Sequence, residues 1–397
     1  MSTAAGRILY LALADARGHL MRANLLSRAL GEAGFGVDIV TTAREGVRFL
    51  ESMGVPSRLL SEHFRVEFGE RHDMSRARTD ARVFNYLVLP WRALADLRRL
   101  EALARSADLV VNDSLHPALL LAPVLGFPRP VVQLYGENLW RAMEENLDHR
   151  VPPWVGDRFR RALRVVRERA FARIIHTLGS TEPEPDSSPR TYRLAPVVAR
   201  PGRTRAQVRA ELKVPDGVPL AAVYLNPHFK DPSIALALEE GLARGGFRVH
   251  AVGEGYHARP GWIATDGRFG DVVHAAELFV SGAGMGALEL ARSSGTPLLV
   301  LLGDQPEQAR NVAELMRRWP EFALRSVLVG DPDLPAAIAS AAGELTGRGR
   351  SSTPPRTGGE QLWVKAFEEL VRAARVPASA RQRLLPRPRH ALGPGVP

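Results

Sequence analysis

The chain has 397 residues, 45% hydrophobic and 24% charged, an ordinary globular composition that excludes wholesale disorder and fibrous repeats and, at about 150 residues per domain, predicts two or three domains. It has no cysteine, which excludes disulfides, thiolate catalysis, iron–sulfur clusters and cysteine-based zinc sites, and no run reaches the ~18 apolar residues of a spanning helix. The net charge of +10 rests on 53 basic residues, of which only Lys213, Lys230 and Lys365 are lysines; the arginines are scattered, so no nucleic-acid partner is expected, and attraction to an anionic membrane or a lipid-linked substrate is at most peripheral.

The first apolar run, Ile8 to Ala14, is followed at once by Asp15, Arg17 and His19. It reads as a buried strand rather than a signal core, and a cytoplasmic location is expected. A helical stretch follows, and Gly34-Phe35-Gly36-Val37 then leads into Ile39-Val40. The second half echoes this: strand run Leu220 to Leu225, helix Ile234 to Ala243, then Gly246-Phe247-Arg248-Val249. A buried strand, a crossover helix ending at a glycine and a second buried strand open a parallel βαβ unit, and two such openings predict two doubly wound domains.

Further strands are expected at Asp108 to Val111, Val131 to Leu134 and Ile174 to Thr177, separated by helices over about 79–105, 116–125 and 157–172. In the second half the strands are Leu278 to Val280, Leu298 to Leu302 and Ser326 to Val329, with helices over 285–294, 307–318 and 333–345. The expected division is a first domain over 1–198, a linker over 199–219 within a Pro- and Arg-rich stretch that carries one helix from Arg205 to Leu212, and a second domain over 220–358. A helix over 359–376 is expected to pack back on the first domain, ahead of a disordered basic tail over 377–397.

Ligands of open α/β sheets lie beyond the carboxyl ends of the strands, so the loops there carry the candidates. His19 opens the first helix at the mouth of a cleft, where an imidazole can act as general base or simply bond locally. Asp113 follows the strand at 109–111 and either orients that imidazole or caps the next helix. Gly282-Ala283-Gly284-Met285-Gly286 joins a strand to a helix whose first N–H groups suit a phosphate. Asp304, Gln305, Gln308 and Asn311 open the next helix with groups that suit sugar hydroxyls or a cap, and Asn226, His228 and Lys230 form a turn that suits either a pyrophosphate or solvent. The 11 histidines show no metal-ligand spacing, so no metal and no cofactor is expected.

Gly18-His19 with Arg22-Ala23, Leu26, Leu30 and Gly34-Phe35-Gly36-Val37, together with the segment Ala275 to Val312, resembles the GT-B glycosyltransferases of the UDP-glycosyltransferase superfamily. The resemblance implies two Rossmann-like domains facing across a cleft and an inverting, metal-independent transfer of a sugar from a UDP- or dTDP-linked donor to a small, apolar, hydroxyl-bearing or lipid-linked acceptor. It places His19 as the base, Asp113 as its orienting acid and the loop 282–286 at the diphosphate. It places Asp304, Gln305, Gln308 and Asn311 near the donor sugar, and by position Gly18, Trp91, Tyr135, Trp140 and Met143 on the acceptor side, with specificity in loops 62–90 and 135–155. The chain departs from the family pattern in having Gly282 where a histidine or arginine is usual, in placing Leu290 at the ribose glutamate with Glu289 one residue early, and in replacing a glycine-serine loop by Asn226 to Lys230. Those departures keep open a non-catalytic scaffold, and the shared architecture a UDP-sugar 2-epimerase.

Overall fold

The computed structural model describes residues 5–14, 17–63, 85–86, 90–113, 115–138, 156–157, 160–161, 163–164, 168–178, 191–303, 305–351 and 359–377. Two parallel sheets organise it. The first has seven strands in the order β3-β2-β1-β4-β5-β6-β7, built from β1 (Gly6–Ala12), β2 (Phe35–Thr41), β3 (Ser57–Leu59), β4 (Leu109–Asp113), β5 (Val131–Gly136), β6 (Ala172–His176) and β7 (Thr191–Leu194). The second has six, in the order β10-β9-β8-β11-β12-β13, built from β8 (Leu220–Leu225), β9 (Arg248–Gly253), β10 (Trp262–Ile263), β11 (Leu278–Gly282), β12 (Leu298–Leu302) and β13 (Leu324–Leu328).

Strands buried on both faces need helices on both sides. In the first lobe, α1 (Arg17–Glu32) covers one face, burying Leu20, Ala23, Leu26 and Leu30 against Ile8, Tyr10 and Val111. The opposite face takes α3 (Pro90–Leu103) and α4 (Pro117–Leu125), with Leu97, Leu100, Ala118 and Leu119 packed on Leu9, Leu11 and Val110. The short α2 (Arg44–Ser52) lies between β2 and β3. In the second lobe, α6 (Pro232–Arg244) and α10 (Leu334–Arg348) cover one face. The other face takes α7 (Phe269–Ala275) and α8 (Met285–Ser294), with Leu315 of α9 (Pro306–Arg318) and Val208 of the linker helix α5 (Arg205–Glu211).

The echo between the halves is a backbone requirement. Gly34 and Gly246 sit at φ +86° and +68°, a left-handed conformation that turns each helix into its strand and that side chains disfavour.

Some boundaries differ from expectation. Of the helix predicted over 157–172, residues 156–157, 160–161, 163–164 and 168–169 are helical, and the chain is already strand at Ala172, because Ile174 and Ile175 bury against both faces. Just ahead of the predicted linker, and not expected as a strand, Thr191–Leu194 forms β7, the edge strand of the first sheet, paired with β6 from Arg173 to His176. The tail over 378–397, residues 352–358 and most of loops 62–90 and 135–155 lie outside the described residues. No helix among the described residues is long and apolar enough to cross a membrane.

The last helix, α11 (Gly359–Ala374), returns to the first lobe. Trp363, Phe367, Leu370 and Val371 enter the same cluster as Ile8 and Leu20, and the Trp363 indole N–H donates to the Ala195 carbonyl at 2.9 Å. Trp363 is fully buried, so Trp363→Ala is expected to cost about 3–5 kcal/mol in urea unfolding; a loss below about 1 kcal/mol would show that α11 is not part of that core.

Candidate functional site

Sheet order reverses between β1 and β4 in the first lobe and between β8 and β11 in the second, the two places where a doubly wound sheet opens a crevice. Asp113 ends β4, in register with Ala12 of β1, and is 0% exposed. Its carboxylate is fully engaged: Tyr10 Oη donates to Oδ2 at 2.7 Å, Arg22 Nε to Oδ2 at 2.9 Å and Arg22 Nη2 to Oδ1 at 2.5 Å. Arg22 and His19 are three residues apart on α1 and so share a face. Arg22 Nη2 lies 2.9 Å from His19 Nδ1, while His19 Nδ1 lies 3.6 Å from Asp113 Oδ1. The structure thus brings His19 and Asp113 together and places a guanidinium between them.

Burial alone would push the Asp113 carboxyl up, but Arg22 and His19 and the bonds from Arg22 and Tyr10 outweigh it and hold the group below the usual carboxylate range. Burial opposes the Arg22 charge, and Asp113 more than restores it. Burial and Asp113 raise the Tyr10 phenol well above its ordinary value. The trio is therefore an ionised pair with a neutral phenol. Because a guanidinium only donates, the bond to Arg22 makes His19 Nδ1 the acceptor in this arrangement, which leaves the ring proton on Nε2.

Across the crevice, Gly282 closes β11 and Gly284 caps α8, with no side chain bonded to that cap. A Cβ at Gly284 or Gly286 would meet nothing within 4 Å, so the first N–H groups of α8, at the positive end of its dipole, lie along an unobstructed loop. The loop is held from behind by α9: Ala283 N donates to Gln308 Oε1 at 3.3 Å, Asn311 Nδ2 donates to the Ala283 carbonyl at 3.0 Å, and Gln308 Nε2 donates to Gln305 Oε1. Met285 is buried in the core of that lobe.

The position of the missing charged residue is filled. A Cβ at Gly282 would lie 2.9 Å from Phe229 Cε2 and 3.2 Å from its Cζ, so the Phe229 ring and the absence of a side chain at 282 go together. In the same turn Asn226 Oδ1 accepts from the His228 backbone N–H at 3.0 Å. Lys230 packs beside Gly255, and burial and Arg17 depress its ammonium. Glu289 is committed elsewhere: Arg292 donates to both its carboxylate oxygens, at 2.9 and 2.5 Å, and stacks over Trp319.

Among the described residues, two side-chain hydrogen-bonded contacts join the lobes at this crevice. Arg17, in the first turn of α1, forms a two-pronged ion pair with Glu254 at the end of β9. Asn138 Nδ2 donates to Asn311 Oδ1 at 2.8 Å, so the side chain that holds Ala283 also holds the loop after β5. Gly18 is exposed beside His19. Trp91 is 61% exposed at the start of α3, on the opposite layer from His19. Tyr135 goes into a core cluster with Leu115, Leu163 and Ile175 rather than to the rim, since strand alternation turns it away from the face that bears Asp113. Asp304, Trp140 and Met143 lie outside the described residues, as do Asp15 and Ala16.

Sequence reading passed over Arg22, Tyr10, Arg17, Glu254 and Phe229. Arg22 stood in the motif that carries the resemblance and sat three residues from His19, but was given no role; Tyr10 lay in a strand run and Phe229 in the turn after the strand at 220–225. A second polar cluster was also missed: His63 Nδ1 lies 3.1 Å from buried Asp96, Tyr86 Oη donates to that carboxylate at 2.8 Å, and His116, lowered to about 4 by burial, meets the Tyr86 ring edge-on. Among the described residues no group of three or more His, Asp or Glu is placed to hold a metal ion.

No family model and no curated protein matches the chain by sequence. Solved structures do match by fold. LpCGTa in complex with UDP superposes with a TM-score of 0.57 at 18% identity, over 96% of this chain and 97% of that one. The glycosyltransferase VinC in complex with dTDP gives 0.52 at 17%, over 93% and 99%, and the Streptomyces sp. SF2575 glycosyltransferase SsfS6 gives 0.51 at 18%, over 91% and 99%. The fold is thus the two-lobed α/β arrangement of these glycosyltransferases, the GT-B architecture the sequence resemblance implies.

Asp113→Asn strands the buried Arg22 charge, and a loss of about 3–5 kcal/mol is expected in urea unfolding at pH 7. Because the Asp113 pKa is depressed in the folded protein, its ionised-state contribution is complete above the unfolded value near 4 and is lost as pH falls through the folded one. The gap between wild type and variant should therefore narrow in acid; a gap as wide at pH 3 as at pH 7 would contradict the ion pair.

Proposed function

We propose that the chain transfers a sugar from a nucleoside-diphosphate donor to a hydroxyl group of an acceptor, with inversion at the anomeric carbon and without a metal ion. The observation that carries this reading is the double use of Asn311: it holds the backbone of the loop 282–284 through Ala283 and joins that loop to the first lobe through Asn138. The donor-side loop and the lobe that bears His19 and Asp113 thereby face one crevice. LpCGTa holds UDP and VinC holds dTDP, and we extend nucleoside-diphosphate binding to the loop at the start of α8.

In this reading the acceptor oxygen attacks the anomeric carbon as its proton passes to His19 Nε2. The bond from that carbon to the diphosphate oxygen breaks, and its electron pair leaves with the diphosphate. Base action requires the His19 tautomer with the proton on Nδ1. That form turns from Arg22 to Asp113 Oδ1, closing a separation of 3.6 Å of the kind that tightens in substrate complexes. Arg22 keeps Asp113 ionised, so the carboxylate is ready to stabilise the imidazolium that forms. Charge gathering on the leaving diphosphate is met by the backbone N–H groups and dipole of α8, with Lys230 and His228 in the neighbouring turn. Gln305, Gln308 and Asn311 present amides at the donor side, although Gln308 and Asn311 already serve the loop itself. With Phe229 against Gly282 and Glu289 paired to Arg292, two contacts that the family resemblance implies for the donor are absent from their usual places.

Those two absences favour one second reading, a GT-B scaffold that binds no donor. Calorimetry with UDP- and dTDP-sugars separates the readings, since a scaffold gives no heat with any of them. In the enzyme, His19→Ala is expected to lower the rate of transfer by about 10²–10⁴-fold while leaving the donor-induced rise in Tm unchanged; undiminished turnover in that variant removes His19 from the mechanism.

A further inference from the structure

His176 was not a candidate in the sequence and has no place in the reading above, yet the sheet sets it beside the site. Ala12, Asp113, Leu134 and Ile174 stand in register across β1, β4, β5 and β6. Two residues further toward the carboxyl edge, Gly136 of β5 is in register with His176 of β6. Side chains two apart on a strand share a face, so His176 lies on the Asp113 face, the one that α1 covers with His19 and Arg22.

Gly136 is what lets the imidazole in. A Cβ there would sit 3.0 Å from His176 Cε1 and 3.3 Å from Nε2, so the ring occupies the space a side chain on β5 would fill. The ring is 5% exposed, and its Nδ1 has no hydrogen-bond partner among the described residues. Buried polar atoms are nearly always paired, and an exception calls for an explanation. Burial, then Arg22 and His19, press its pKa well below the ordinary histidine value, so the ring is neutral. It is therefore a poor base, but it offers one donor and one acceptor, the same pair that a hydroxyl group presents.

We propose that His176 binds a second hydroxyl group of the acceptor, beside the hydroxyl that reacts at His19, and so makes the protein selective for polyhydroxylated acceptors. This rests on the transfer reading above. A buried neutral imidazole whose Nδ1 is unpaired in the free protein discriminates for a physical reason: an acceptor that brings a hydroxyl to it satisfies that nitrogen, and an acceptor lacking the hydroxyl leaves the gain unmade.

The test begins with the wild type, a UDP- or dTDP-sugar and a panel of phenols, catechols and aliphatic diols. Failure to turn over any acceptor, with no donor-induced rise in Tm, overturns the transfer reading and this proposal with it. With an acceptor in hand, His176→Phe and Gly136→Ala are expected to raise the acceptor KM by about 10-fold or more, with kcat within about threefold and the donor KM unchanged, and His176→Asn, which keeps a hydrogen-bonding group, should recover most of the loss. The wild type should also prefer the diol to its monodeoxy analogue by about 10-fold or more, a preference that His176→Phe erases. If transfer proceeds in both variants with the acceptor KM within twofold of wild type, or if donor and acceptor KM rise together with a fall in Tm, His176 is only a packing residue and the proposal fails.

Discussion

A single buried charge organises the first lobe. Asp113 ends the strand at which sheet order reverses and has no access to water, so it must be paired, and Arg22 supplies the pair through two parallel bonds. That requirement fixes the rotation of α1 against β1 and β4, because a guanidinium fork has one good approach to a carboxylate. Once the helix is fixed, His19 three residues earlier faces the crevice. Arg17, on the first turn, reaches Glu254 of the other lobe. One electrostatic constraint in the core thus places the His19 imidazole and a bridge between the lobes.

The second lobe solves its half of the problem without a charged side chain in the loop. What it presents to the crevice is backbone: N–H groups at the start of α8, left clear by Gly284 and Gly286 and held in shape by two amides of α9, the groups proposed above to meet the diphosphate. A dipole of this kind is fixed in place before any ligand arrives and needs no side chain to be ordered. Phe229 occupies the room at Gly282, where the family resemblance implies a histidine or arginine, and Glu289 spends its charge on Arg292 within its own helix. These are the features by which this crevice differs most from the pattern the sequence resembles.

Much of the fold was legible because its signals are local. Apolar strand runs such as Leu298–Leu302 and helices such as Met285–Ser294 came out with the boundaries expected, since burial on both faces and a glycine stop leave little freedom. β7, with the sequence Thr-Tyr-Arg-Leu, was passed over because an edge strand needs no continuous apolar run. α2 and α7 were missed as short amphipathic turns whose periodicity is too brief to register. The places of His19, Asp113 and the loop 282–286 after strands were also legible, and the structure sets His19 Nδ1 3.6 Å from Asp113 Oδ1. Tyr135 was misjudged because its neighbours along the chain do not show which face of β5 it takes, and that depends on register. Arg22 was part of the motif that carries the resemblance, but nothing in the sequence showed that its guanidinium reaches Asp113.

The sequence by itself determined the two doubly wound lobes, the order of their elements and the loops that follow their strands, because periodicity, glycine stops and apolar runs act over a few residues. Only the tertiary structure decided that Arg22 stands between His19 and Asp113, that Phe229 fills the space at Gly282, and that His176 shares a face and an edge with Asp113 across Gly136. Each of those pairings joins residues that strand register or the packing of one element on another brings together, and neither is set by any short stretch of chain.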